Sequence, residues 1–140
     1  MKIVFAGTPD ISKSILNDIL DEGYQIDLVL TQPDRPAGRG KKVVPSPVKQ
    51  LALEKHLNIL QPSSLKNNLE IINQLKAIKP DIIIVFAYGM ILPKVILDIP
   101  TLGCVNIHVS LLPNWRGAAP IQRTILAGDR YTGVATMQLD

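Results

Sequence analysis

Cysteine is nearly absent from this sequence. Its single copy, Cys104, excludes an internal disulfide and with it the disulfide-stapled secreted scaffolds. One unpaired thiol fits a reducing compartment, and the cytoplasm is the expected location; Cys104 itself reads as a small buried strand residue. Long apolar runs are missing too. The clearest, residues 82–87, is closed by Asp81 and Gly89 and falls far short of the ~20 residues a membrane helix needs. The opening MKIVFAGTPD meets Thr-Pro-Asp too early to read as a signal peptide. There is no G-x-G-x-x-G and no Walker motif, so nucleotide binding has no support, and no metal is expected. Internal repeats are lacking, and the only biased tract is one basic loop.

What remains is an ordinary globular composition: 140 residues, 46% hydrophobic and 19% charged, enough for one domain around one core. The net charge is +3, but residues 35–49 hold Arg35, Arg39, Lys41, Lys42 and Lys49 with no acid, so the rest of the chain is left at −2. This segment, within TQPDRPAGRGKKVVPSPVK, has neither helical nor strand period. Long loops inside compact domains are uncommon and usually functional or disordered. Arg and Lys on a Gly-rich backbone suit phosphate neutralisation, while a solvated charge run is the plainer reading. The prolines at 33, 36, 45 and 47 weigh against a floppy tail by restricting the loop.

Elsewhere strands and helices alternate. Residues 2–6 read as a buried strand ending at Gly7, with Thr8 as N-cap and Pro9 at the first helical position. Ile11, Ile15, Ile19 and Leu20 recur at helical spacing up to Gly23. Such a strand–Gly–helix start can hold an anion, although a tight β–α turn is the plainer reading. Residues 25–31 form a second strand. A helix beginning at Ser46 or Pro47 runs to about His56, a surface histidine, and residues 57–60 form a short third strand. Leu69, Ile72, Leu75 and Ile78 predict a helix over residues 67–78, stopped before Pro80. The β-branched run after Asp81 predicts a central strand buried on both faces. A short helix at 93–97, a strand from Gly103, a helix over about 121–127, a turn at Gly128-Asp129 and a last strand over 132–139 complete the reading. The repetition implies an α/β fold with a doubly wound, mostly parallel sheet.

The stretch GCVNIHVSLLPNWRGAAPIQR (103–123) carries the chemistry. Val105, Ile107 and Val109 alternate with Asn106, His108 and Ser110, so one strand face sinks into a core. The other brings an amide and an imidazole together, roughly 6.6 Å apart at ~3.3 Å per residue. Open α/β sheets place their chemistry at the carboxyl ends of strands. From the residues alone such a pair is more often structural than catalytic.

Asn106-Ile107-His108, Ser110-Leu111-Leu112-Pro113 and Arg116-Gly117 resemble the folate-dependent formyltransferases. FAGTPD, TQPDRPAGRGKK and AYGMILP agree in order with the branch of that family acting on an aminoacyl-tRNA. The resemblance covers the whole chain. It implies a Rossmann-like formyltransferase fold with an added antiparallel part near the end, and transfer of formyl from 10-formyltetrahydrofolate to the amino group of methionyl-initiator-tRNA by a monomeric enzyme. It implies catalytic roles for Asn106 and His108, and a pterin pocket bounded by Tyr88, Gly89 and Met90 and by Ser110, Leu111, Leu112 and Pro113. It implies tRNA contact by Arg35, Arg39, Lys41 and Lys42, with Arg39 judging the end of the acceptor stem. An Asn amide can stabilise a developing oxyanion, typically by about 2.7–4 kcal/mol, and a His near its ordinary pKa of about 6.5 can move the proton.

The family's third catalytic residue, an aspartate in L-D-T-G-D, is absent; Asp140 closes the preceding block and is not assigned that role. Residues 1–140 are therefore expected to be an incomplete N-terminal catalytic domain, lacking its last part and a β-barrel domain, and inactive alone. Two other readings stay open: a formyltransferase for a small amine such as glycinamide ribonucleotide or an amino sugar, and a non-catalytic RNA-binding relative. The basic loop and the GAAPIQR block favour tRNA over the small amine.

Overall fold

A six-stranded sheet forms the middle layer of the protein, whose computed structural model describes residues 1–37 and 42–140. In chain order the elements are β1 (Ile3–Gly7), α1 (Asp10–Asp21), β2 (Ile26–Leu30), β3 (Arg35–Ala37), β4 (Lys42–Val44), α2 (Pro47–Glu54), β5 (Ile59–Leu60), α3 (Leu69–Ile78), β6 (Ile82–Phe86), α4 (Lys94–Leu97), β7 (Cys104–His108), α5 (Pro120–Ala127) and β8 (Ala135–Leu139). The main sheet runs β5-β2-β1-β6-β7-β8, parallel throughout except that β8 pairs antiparallel with β7. This is the doubly wound, mostly parallel sheet expected, including the antiparallel addition. The winding reverses between β1 and β6.

Both faces of the sheet are covered, which is why β1 and β6 tolerate unbroken Val/Ile runs. On one face α1 and α2 close over Ile3, Phe5, Val29 and Phe86. On the other α3 and α4 close over Val4, Leu30, Ile83, Val85 and Cys104. Each fully buried Val, Leu or Ile adds about 1.5–3 kcal/mol of transfer free energy, offset by the entropy of ordering the chain. Cys104 is fully buried in β7, as expected of it, and His56 is exposed.

Three local expectations are corrected. Thr8 does not cap α1: Pro9 holds the N-cap position without a side-chain bond, and the Thr8 hydroxyl donates instead to the Tyr88 carbonyl at 2.9 Å. The helix therefore turns Ser12 and Leu16 inward, with Ile15, Ile19 and Leu20 partly buried beside them and Ile11 exposed. A Cβ on Gly7 would lie 2.8 Å from that of Ser12 and 3.0 Å from the Phe86 carbonyl, so only glycine admits this close approach. In α3 the Asn68 side chain caps Ile71 N at 3.2 Å, and the buried residues are Ile71, Ile72 and Leu75 while Leu69 faces out.

The third correction concerns the basic segment. Strands β3 and β4 form an antiparallel hairpin pairing Arg35 with Val44 and Ala37 with Lys42, where the sequence shows no strand period. Three residues per strand are too few for a period to be read. Ser46 caps α2 through Lys49 N, and its hydroxyl also meets that of Thr31 at 2.7 Å, fixing the hairpin's return to the sheet.

Candidate active site

The site is built on two parallel neighbours, β6 and β7, and the turns leaving their carboxyl ends. Residues paired across strands share a face, so Asn106 of β7 stands between Val85 of β6 and Met137 of β8. His108 follows two residues on, beside Ala135. The alternation thus places amide and imidazole together, and both line a cavity of about 690 Å³. Such a volume lies within the roughly 300–1,000 Å³ of small-molecule sites. Ile107 and Val109, from the opposite face, pack only partly buried against the α1–α2 core; His108 is more enclosed than either, at 9% exposure.

One wall is the turn after β6. Ala87 sits at φ 47° and Gly89 at φ 80°. A Cβ on Gly89 would run into the Gln32 amide, which donates to the Tyr88 carbonyl at 3.1 Å. Tyr88 O thus receives Thr8 from beyond β1 and Gln32 from beyond β2, tying three strand ends together. Tyr88, Gly89 and Met90 all line the cavity. The Tyr88 hydroxyl is buried without a partner among the described residues, and burial pushes its pKa up to about 12. It stays a neutral phenol.

Another part of the lining is residues 117–119 and Pro120, the first residue of α5, with Leu139 and Asp140 at the end of β8. Gly117, Ala118 and Ala119 were not among the site residues expected from the sequence. The available signal was their size, which lets main chain approach a ligand closely. Three of the six non-glycine residues with positive φ among the described residues, Ala87, Trp115 and Ala119, belong to the two loops flanking this cavity.

Ser110, Leu111, Leu112 and Pro113, read as pocket residues, are placed outside the cavity lining. Ser110 is fully buried and donates to the Asn114 carbonyl at 2.7 Å, closing the turn, while Leu111 lies over Gly133. His108 Nε2 lies 3.0 Å from the Trp115 carbonyl, and the Trp115 indole donates to Asp129 at 2.7 Å. Among the described residues the Asn106 amide takes no hydrogen bond and is free to meet a ligand.

Of the cations assigned to RNA, Arg35 and Lys42 are exposed on the hairpin, whereas Arg39 and Lys41 lie outside the described residues. Lys49, counted in the same basic run, pairs with Asp34 at 2.6 Å, and Gln61 also donates to Asp34, at 2.7 Å. These two hydrogen bonds hold the Asp34 carboxyl below its usual pKa. Lys49 is thus committed to the hairpin's root.

Comparison with known proteins gives the family. Methionyl-tRNA formyltransferases of Francisella tularensis subsp. mediasiatica (strain FSC147) and subsp. novicida (strain U112) are 60% and 58% identical over all 140 residues. The chain spans 45% of the length of each. The phosphoribosylglycinamide formyltransferase of Bacillus halodurans superposes with a TM-score of 0.77 at 19% identity, covering 100% of this chain and 72% of that one. Glycinamide ribonucleotide transformylase 1 of Geobacillus kaustophilus gives 0.76 at 25%, covering 99% and 73%. Residues 1–140 match the family described as formyl transferase, and the chain belongs to that family.

Proposed function

We propose that the complete protein transfers the formyl group of 10-formyltetrahydrofolate to the free amino group of methionyl-initiator-tRNA, as a monomeric cytoplasmic enzyme of translation initiation, with residues 1–140 forming the N-terminal part of its catalytic domain. The observation that carries this reading is the Asn106–His108 pair, side by side on β7 and facing one cavity. High identity to proteins of that name supports the choice of acceptor. The cavity's apolar walls and the exposed main chain of the 87–90 turn suit a flat heteroaromatic head group, with Tyr88, Gly89 and Met90 as its neighbours.

The donor supplies a formyl carbon bonded to a nitrogen that must leave protonated. The Asn106 amide donates a hydrogen bond to the formyl oxygen as negative charge develops there, a contact that strengthens towards the transition state. His108, fixed by its bond to the Trp115 carbonyl, stands one pleat away to take up or return the proton of the attacking amine. Arg35 and Lys42 of the β3–β4 hairpin, with Arg39 and Lys41 of the same basic segment of the sequence, meet acceptor-stem phosphates.

The test supplies the complete protein with 10-formyltetrahydrofolate and, separately, methionyl-initiator-tRNA, glycinamide ribonucleotide and an amino sugar, reading formylated product by mass. Formylation of the tRNA alone is expected. Formylation of a small amine in preference to the tRNA overturns the assignment.

A further inference from the structure

A chain of specific contacts leads into the site from Asp129 through Trp115 to His108. A carbonyl oxygen can only accept, so the 3.0 Å contact to Trp115 O requires the proton on His108 Nε2. In the neutral ring, Nδ1 then carries the lone pair. Nδ1 makes no hydrogen bond among the described residues and is not one of the enclosed, unpartnered atoms. His108 lines the cavity, so Nδ1 is the nitrogen left to serve it.

The acceptor that selects this tautomer is main chain in an unfavourable conformation. Trp115 lies at φ 57°, a left-handed setting that persists in a bulky residue only where its surroundings impose it. On its N-terminal side, Ser110 Oγ donates to Asn114 O and Asn114 N donates to Leu111 O. On its C-terminal side Gly117, at φ 84°, adds no restraint of its own. The remaining restraint is the indole, whose Nε1–H donates to Asp129 Oδ2 at 2.7 Å, a bond strengthened by the carboxylate's charge. Asp129 is itself set by its backbone N–H on the Thr124 carbonyl at 3.2 Å, just past the end of α5.

We infer that Asp129 is a positioning residue for His108: acting through the Trp115 indole, it holds the Trp115 carbonyl on Nε2 and so presents Nδ1 to the reacting amine. The chemical consequence rests on the proposed formyl transfer; the tautomer does not.

In the complete protein, the neutral His108 ring is followed by its nitrogen chemical shifts, together with kcat and KM for both substrates. Wild type is expected to be dominated by the Nε2–H form. Asp129→Ala and Trp115→Phe should each raise the Nδ1–H fraction and lower kcat by on the order of tenfold, with both KM values within about twofold. The double variant should be no worse than either single one, because both remove the same link. Asp129→Asn keeps an accepting oxygen and should restore tautomer and rate. Should Asp129→Ala fail to fold, Trp115→Phe, which keeps the ring and main chain, decides alone. An unchanged tautomer in the folded variants overturns the inference, even if their melting temperatures fall. A shifted tautomer in a protein that formylates no tRNA upholds it and sinks the proposed function instead.

Discussion

Asn106 and His108 are held very differently, and that difference predicts how their variants behave. The Asn106 amide is unengaged among the described residues, so Asn106→Ala should remove a transition-state donor with little change in fold, lowering kcat about 10²–10³-fold. His108→Ala also strands the Trp115 carbonyl, so it should lower both kcat and melting temperature. Neither touches the hairpin, and KM for the tRNA should stay within about twofold in both. Normal turnover in both variants would make the pair structural. Cys104 gives a separate check. Burial, with a smaller contribution from the Asp98 charge, pushes its thiol up to about 11, leaving about one part in ten thousand as thiolate at pH 7. Iodoacetamide should label it only after unfolding; rapid labelling of the native protein would place the thiol at the surface. The Asn–His pair was legible because a period of two puts alternate residues on one face. The Trp115 carbonyl was not, because a main-chain acceptor leaves no mark on residue type, nor was Asp129, 14 residues from the indole it binds.

At the scale of elements, the β3–β4 hairpin is an arm with one anchored root. Asp34 accepts from Lys49 and Gln61, Gln61 also donates to the Gln32 carbonyl at 2.9 Å, and Thr31 meets Ser46. Replacing Asp34 by Ala should loosen the arm and raise KM for the tRNA several-fold, leaving folate KM and kcat alone; a change confined to kcat would contradict this role. Because the native Asp34 carboxyl titrates below its ordinary value, 3.8, its contribution is complete above that pH and is lost as pH falls through the lower native value. Proteolysis within the hairpin should therefore be flat from pH 7 to 5 and quicken only in stronger acid. The cations are tested by salt. Replacing Arg39, Lys41 and Lys42 together should flatten log K against log salt by about 0.7–0.9 for each phosphate that is no longer neutralised. Arg39→Lys should cost discrimination between initiator and elongator tRNA, because a lysine lacks the guanidinium's fork. An unchanged slope would make the arm a solvated charge run. The basicity and prolines of this segment were plain in the sequence. Its pairing was not, and the charge of Lys49 is matched by Asp34, one residue outside the cationic window.

For the molecule as a whole, the doubly wound, mostly parallel sheet was readable because strands rich in Val and Ile alternate with helices, whereas the order of its strands was not. The position of the cavity was only half readable. Ligands in such sheets lie beyond the carboxyl ends of strands where the winding reverses, here between β1 and β6. That crevice is laced shut by Thr8 and Gln32 on the Tyr88 carbonyl, and the open space falls one strand further, between β6 and β7. The same side of the sheet ends in an uncovered region. Among the described residues β8 pairs with β7 alone, and the apolar residues Ile125, Leu126, Tyr131 and Val134, late in the chain, are exposed, Leu126 at 87% and Tyr131 at 86%. Exposed large apolar side chains are a liability in an isolated soluble domain, as is an unpaired edge strand. The Francisella relatives are more than twice as long as this chain. The 140-residue chain by itself should therefore bind a dye such as anilinonaphthalene sulfonate strongly and turn over little or no formyl donor. The complete protein should bind far less dye and be active, since groups that cooperate in one site lose orders of magnitude when any is missing. Full turnover by the 140-residue chain would mean that Asn106, His108 and the cavity walls described here suffice for the reaction.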